Sequence, residues 1–192
     1  MGKNITIILG HPDSASYCAS IATAYEQAAI AAGHEVRLFK LGELDFDPIL
    51  HQGYKVVQPL EPCLVEAQEA ITWAHHLVFV YPIWWGAMPA LLKGFFDRAF
   101  LPGYAFKYRP NSQFWDKLLK GRSAHVFSTM DTPPWYFWLV YNMPGHHQIK
   151  RTILQFSGIR PVKITSFGPV RYASQQRKEG WLAQVARFAQ VA

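Results

Sequence analysis

Apolar and polar positions alternate along this chain in two distinct rhythms. Residues 4–9 (Asn-Ile-Thr-Ile-Ile-Leu) form a β-branched apolar run that predicts a buried first strand. From Tyr17 to Ala32 the period changes: Ile21, Ala24, Tyr25, Ala28 and Ala29 recur at helical spacing, and Gly33 stands where a helix commonly ends in left-handed geometry. Val36, Leu38 and Phe39 mark a second strand over 34–41, followed by a polar loop at 42–48 and an irregular stretch at 49–60. A helix is predicted over 61–74. Next, Leu77–Tyr81 is apolar on both faces, the mark of a strand covered on both sides, and Pro82, which lacks an amide, is predicted to end it. Trp84, Trp85 and Gly86 then form a loop, and Pro89 opens a helix carrying Leu91, Leu92, Phe95, Phe96, Ala99 and Phe100 at helical spacing.

The second half repeats the alternation. Aromatic residues alternate between turn formers at 102–110, predicting a small ribbon or lid. A fourth strand is predicted at 122–129, a loop from Thr129 to Trp138, a helix at 149–157 closed by Gly158, and a fifth strand at 162–167. The final helix, over 180–191, places Trp181, Val185 and Phe188 on one face. Strand and helix alternate throughout, which predicts an α/β, doubly wound parallel sheet with right-handed crossovers. The simplest such architecture is flavodoxin-like: five strands in the order 2-1-3-4-5, in one domain spanning 1–192.

Composition narrows the chemistry. The chain is 50% hydrophobic and 17% charged, ordinary for a folded protein, but 15% aromatic with seven Trp, which points to aromatic contact surfaces. No apolar run is long enough to span a bilayer, so a cytoplasmic protein without a membrane anchor is expected. Cys18 and Cys63 carry no pairing pattern, and the paired histidines His75-His76 and His146-His147 lack ligand spacing, so no metal is expected. The formal charge of +6 favours anionic partners. The cations are scattered and no nucleic-acid motif is present, so small anionic cofactors fit better than nucleic acid.

Open α/β sheets bind ligands at the carboxyl ends of their strands, and there this fold would gather three loops. The first, Gly10–Ser16, offers the Ser14 and Ser16 hydroxyls, backbone amides and a helix N-terminus, a set suited to a phosphate, although Ser and Asp at such positions commonly serve as caps alone. Asp13 is expected to face away. The second carries Trp84 and Trp85, a wall for a flat ring, although such aromatic pairs more often plug a core. The third runs from Thr129 to Thr132. A flavin nucleotide needs these three things: a phosphate cradle, an aromatic wall and hydrogen bonds to a ring edge.

The residues Gly-His-Pro-Asp-Ser-Ala-Ser-Tyr after the first strand and Tyr-Pro-Ile-Trp-Trp-Gly-Ala-Met-Pro-Ala-Leu-Leu-Lys-Gly-Phe-Phe-Asp-Arg after the third resemble the NAD(P)H:quinone oxidoreductase family, which includes the modulator-of-drug-activity-B type and the ancillary reductases of potassium efflux. The resemblance implies bound FMN, with FAD as the alternative, NAD(P)H as hydride donor, quinones or similar small acceptors, and a homodimer with active sites at the subunit interface. Carried over by position, it implies phosphate and ribityl contacts from His11, Ser16, Tyr17 and Cys18, and an isoalloxazine loop of Pro82, Ile83, Trp84, Trp85 and Gly86. Thr129, Met130, Asp131 and Thr132 stand where the family has a Thr-Thr-Gly-Gly turn, so Asp131 is expected to turn away and cap the Thr132-Pro-Pro turn. Tyr136, Tyr141 and His146 are candidate proton donors near the acceptor, and Trp135, Phe137, Trp138 and Leu139 suit a buried subunit interface. Arg171, Arg177 and Lys178 are candidates to meet a 2′-phosphate. Two other readings compete: a flavodoxin-type electron carrier, disfavoured by the basic charge, and a flavin-binding subunit of a membrane transporter.

Overall fold

In the computed structural model, which describes residues 2–192, β3 (His76–Pro82) lies at the centre of the sheet with every residue buried. Around it stand β1 (Asn4–Leu9), β2 (Glu35–Lys40), β6 (Ser123–Thr129) and β7 (Val162–Phe167), all parallel, in the order β2-β1-β3-β6-β7. Renumbered without the small ribbon, this is the expected order 2-1-3-4-5. The ribbon itself, β4 (Phe106–Tyr108) against β5 (Trp115–Lys117), is antiparallel and lies outside the main sheet.

Side-chain alternation along β3 divides the core into two layers. Val78 and Val80 face α1 (Tyr17–Ala31) and α7 (Gln175–Gln190), where they join Ile5, Ile7, Phe127 and Val185. Leu77, Phe79 and Tyr81 face α2 (Pro62–Trp73) and α3 (Ala90–Ala99), packing with Leu64, Ile71, Phe95 and Phe96. Each fully buried Leu, Val or Phe contributes about 1.5–3 kcal/mol by leaving water, so the uninterrupted apolar run of β3 anchors both layers.

Four boundaries differ from the sequence reading. Pro82 belongs to β3: its Cα pairs in register with Thr129, and the next amide, Ile83, closes the ladder onto the Thr129 carbonyl at 2.7 Å. A proline can end a parallel strand where its missing amide is not required. The stretch expected as a loop through Trp138 contains α4 (Pro134–Leu139), started by Pro134 in the first turn. The helix expected at 149–157 begins earlier: α5 (Pro144–His147) runs through a π-helical stretch (Gln148–Leu154) into α6 (Gln155–Ser157), and Gly158 ends it at φ +104°. The last helix starts at Gln175, five positions before Gly180, because Ser174 caps it by accepting from the Arg177 amide at 3.2 Å.

The irregular 47–60 segment is tied down by one buried cation. Arg98 on α3 has a fully buried side chain, donates to the carbonyls of Asp47 and Pro59, and meets Glu61 Oε2 at 2.9 Å.

Candidate functional site

The loops after β1, β3 and β6 meet as the sheet order requires and enclose an open cleft of about 290 Å³. It is lined by His11, Ser16, Tyr17 and Cys18 from the first loop, Pro82, Ile83 and Trp84 from the second, and Thr129, Met130, Asp131 and Thr132 from the third. A fourth loop, after β7, contributes Val170, which the sequence reading missed. The signal available for it was Gly168-Pro169 directly after a strand.

The loop after β1 is shaped by its own side chains. His11 Nδ1 accepts from the Asp13 amide at 2.9 Å, and Asp13 Oδ1 accepts from the Ala15 amide at 2.8 Å. Ser16 is the N-cap of α1, its hydroxyl oxygen accepting from the Ala19 amide at 3.3 Å. Ser14 does not join the cleft: its hydroxyl donates to Glu43 at 2.5 Å, which directs it away beside a carboxylate. Among the described residues, the amides of Tyr17 and Cys18 donate to no protein group. They are the free first-turn donors of a fifteen-residue helix, and both residues line the cleft. The Tyr17 phenol is engaged elsewhere, donating to the Lys178 carbonyl at 2.8 Å and so tying α1 to α7. Burial pushes the Cys18 thiol up to about 12, and its sulfur lies 3.1 Å from Thr129 Oγ1, so it packs as a neutral thiol and not as a nucleophile.

The two tryptophans have opposite fates. Trp84 and Ala87 exchange backbone hydrogen bonds at 2.9 and 3.0 Å across a two-residue turn in which Trp85 (φ +52°) and Gly86 (φ +79°) are both left-handed. Such a turn needs positive φ at both central positions, which a bulky residue adopts at a cost of about 1–2 kcal/mol. The turn leaves Trp84 half-exposed on the cleft wall, its indole edge-on to the His11 ring, and sends Trp85 wholly into solvent. The expectation that both indoles wall one pocket is therefore corrected: Trp84 does, and Trp85 and Gly86 lie outside it. The hairpin is held from behind by α5, where the Gly145 amide donates to the Gly86 carbonyl at 2.8 Å. A Cβ at Gly145 would stand 2.7 Å from that oxygen, so only glycine allows the approach.

In the third loop the side chain of Met130 is buried, its amide donates to Phe167 at 3.0 Å and its carbonyl accepts from Val170 at 3.1 Å. The facing loop comes close at Gly168: a Cβ there would lie 2.6 Å from the Met130 carbonyl oxygen, so glycine lets the loops after β6 and β7 approach each other. Asp131 turns to a partner other than the one expected. Its Oδ1 accepts from the Arg171 amide at 2.8 Å, which fastens this loop to the one after β7 and does not cap the Thr132-Pro-Pro turn.

The proton-donor candidates fall outside the cleft. His146 is buried, with Nε2 3.1 Å from Ser128 Oγ and 3.2 Å from Ser166 Oγ, and desolvation lowers its pKa to about 4, with the neighbouring His147 adding to the effect. It is a neutral interior imidazole. Tyr136 and Tyr141 pack edge-on at 5.2 Å on α4 and the turn after it. Phe137 is buried against the His146 ring at 5.1 Å, so it leaves the proposed interface set, whereas Trp135, Trp138 and Leu139 are exposed. Two cations at the start of the last helix rest on rings, Arg177 over Trp181 and Lys178 over Tyr17, and Arg171 lies over Tyr172. Among the described residues no group of three or more His, Cys, Asp or Glu is placed to hold a metal, and no helix is long and apolar enough to cross a membrane.

Residues 3–191 match the family described as having a flavodoxin-like fold. A protein of Haemophilus influenzae described as an uncharacterized NAD(P)H oxidoreductase is 26% identical over 194 residues, covering 97% of this chain and 94% of its own. The NAD(P)H dehydrogenase (quinone) 1 of Cavia porcellus is 30% identical over 127 residues, covering 55% of this chain and 46% of its own. Among solved structures, Smu.1420 from Streptococcus mutans UA159 superimposes with a TM-score of 0.83 at 30% identity, covering 98% of this chain and 99% of that one.

Proposed function

Because the chain belongs to the flavodoxin-like fold family, we propose that it is an NAD(P)H:quinone oxidoreductase that holds a flavin in the cleft between β1, β3 and β6. The observation that carries the reading is the meeting of two unpartnered helix-start amides, Tyr17 and Cys18, with the Trp84 indole and the Thr129–Thr132 backbone around one open cleft. Those donors suit a phosphate, the indole suits a broad apolar ring, and the carbonyls and amides of the third loop suit the polar rim of that ring. The flavin is FMN in this reading, with FAD its alternative.

The residues fit the group. When bound, the isoalloxazine supplies the two-electron hydride chemistry that accepts from NAD(P)H and donates to a quinone. The chain's part is positional. The α1 amides fix the anionic end, and Ser16 holds them in place by capping the helix. Trp84, braced by the His11 ring, covers the planar end, and Asp131, bound to the Arg171 amide, keeps the third loop against the loop after β7. Cys18 and Thr129 fill the floor and exclude water there.

The second part of the proposal is a homodimer in the cytoplasm. Trp135, Trp138, Leu139, Val140 and Tyr141 form a run of large exposed apolar side chains around α4, and Trp85 is fully exposed at the cleft's outer rim. Contiguous aromatic surface of this kind marks subunit contact. Both cysteines are free thiols, in keeping with a reducing compartment.

The test is direct. The purified protein, alone or after soaking with FMN or FAD, is expected to show a flavin absorption band. Heat should release a mass that identifies the coenzyme, and NAD(P)H should be oxidised steadily with menadione as acceptor. A colourless preparation after both soaks ends the reading, and a yellow protein that needs a separate reductase makes it an electron carrier.

A further inference from the structure

An open cavity of about 760 Å³ is separate from the proposed flavin cleft except for a shared wall at Met130, and follows the outer edge of β7. β7 pairs with β6 alone, so the sheet ends there. In the parallel register Ala124↔Val162 to Thr129↔Phe167, the amide of Ala124 reaches Pro161 and that of Met130 reaches Phe167, so alternate residues of β7 face β6. The residues between them, Val162, Ile164 and Ser166, point their backbone groups outward, and among the described residues these find no backbone partner. A row of free amides and carbonyls on an edge strand is a template for another strand.

The edge is set in a groove with two apolar walls, Phe137 and Met143 on one face of the sheet and Phe188 on the other. The near wall is held by buried polar contacts: His146 on α5 meets Ser128 on β6 and Ser166 on β7. The charged side chains on the groove are of one sign. Lys150 and Arg151 come from the π-helical stretch and Lys163 from β7 itself, with His147 beside them, and no carboxylate lines the groove.

We propose that the outer edge of β7 is a docking edge for an acidic, extended segment of a partner protein, which joins the sheet as a sixth main-sheet strand. Backbone pairing to Val162, Ile164 and Ser166 supplies the register, alternate apolar side chains pack on the face of Phe137 and Met143, and the intervening carboxylates fall on the opposite face beside Lys163, with Lys150 and Arg151 at the groove's margin adding to the attraction. A second copy of this chain would bring like cations together across the edge, and a polynucleotide could answer the charge but not the row of backbone donors and acceptors.

The probe is a fluorescein-labelled hexapeptide of alternating Val and Glu, followed by anisotropy against the full chain. Saturable binding is expected, weakened roughly tenfold or more when Lys163→Glu is combined with Arg151→Glu. A peptide of the same sequence, N-methylated at alternate residues, keeps its charge but loses the ladder and should not bind, nor should the Val/Lys counterpart. On binding, the Ile164 and Ser166 amides should become protected from hydrogen exchange. Equal binding of the N-methylated peptide, absence of saturation, or protection elsewhere in the chain overturns the proposal. So does sedimentation of the protein by itself showing a self-assembly that Ile164→Pro abolishes, because the occupant would then be a second copy.

Discussion

The imidazole of His11 and the indole of Trp84 stand 5.5 Å apart, edge to face at 72°, and so join the loop after β1 to the hairpin after β3. Residues more than seventy positions apart in the chain thereby form one continuous wall of the cleft. Such a contact is worth about 0.5–1.5 kcal/mol beyond the area it buries.

Trp84→Ala is expected to weaken FMN binding roughly tenfold to a hundredfold, since it removes both ring contact and the brace on His11. Trp85→Ala should leave that affinity near the parent value, because this side chain is wholly in solvent. Quenching of flavin fluorescence on titration measures both. Equal losses in the two variants would contradict the placement of the indoles.

Gly145→Ala should destabilise the fold by about 1–3 kcal/mol, as overpacking does, because the new methyl group would meet the Gly86 carbonyl oxygen at 2.7 Å. The Trp84–Ala87 hairpin would have to move off α5. Chemical denaturation gives the stability, and a midpoint unchanged from the parent would show that the approach is slack.

Arg98→Ala should cost about 3–5 kcal/mol, the usual penalty for leaving half of a buried, hydrogen-bonded ion pair. Glu61 would lose its cation, and the Asp47 and Pro59 carbonyls would lose their donor. Limited proteolysis should then cut within 49–60 well before the parent is cut. Resistance equal to the parent would mean that other contacts hold the segment.

Stability should fall as the solution is acidified from neutrality. Burial lowers His125 and His146 to about 4 and His76 to about 3, whereas the unfolded chain protonates near 6.5. Between those values the unfolded state binds more protons than the folded one, so the stabilisation is full above about pH 6.5 and is lost progressively down to about pH 3. Thermal melts across this range should show the decline, and His146→Gln should flatten part of it. A melting temperature constant from pH 7 to pH 4.5 would mean that these imidazoles are hydrated in the folded state.

Much of the architecture was legible from the residues. The β-branched run of 4–9, the doubly apolar run before Pro82 and the helical stripe from Leu91 to Phe100 each became the expected element, because burial on one or two faces imposes a period that survives in the sequence. The ends were less legible. Ser174 caps α7 so that the helix starts at Gln175, six residues before its apolar face begins at Trp181, since a cap is a local hydrogen bond and leaves no trace in hydrophobic period.

Within the site, the residue types could be read but not their directions. Trp84 and Trp85 are identical in kind and adjacent in sequence, and a left-handed φ at the second separates wall from solvent. Ser14 and Ser16 looked equivalent until Glu43, from a different loop, engaged the first. His146 carried the chemistry of a proton donor, yet two serines on neighbouring strands enclose it as a neutral interior group. Periodicity records how much water each face of an element meets, and that information is local, so it settled the layers, the sheet and the rim formed by the strands' carboxyl ends. Which side chain faces the cleft depends on backbone angles at single residues and on partners dozens of positions away, and those come together only when the chain has closed on itself.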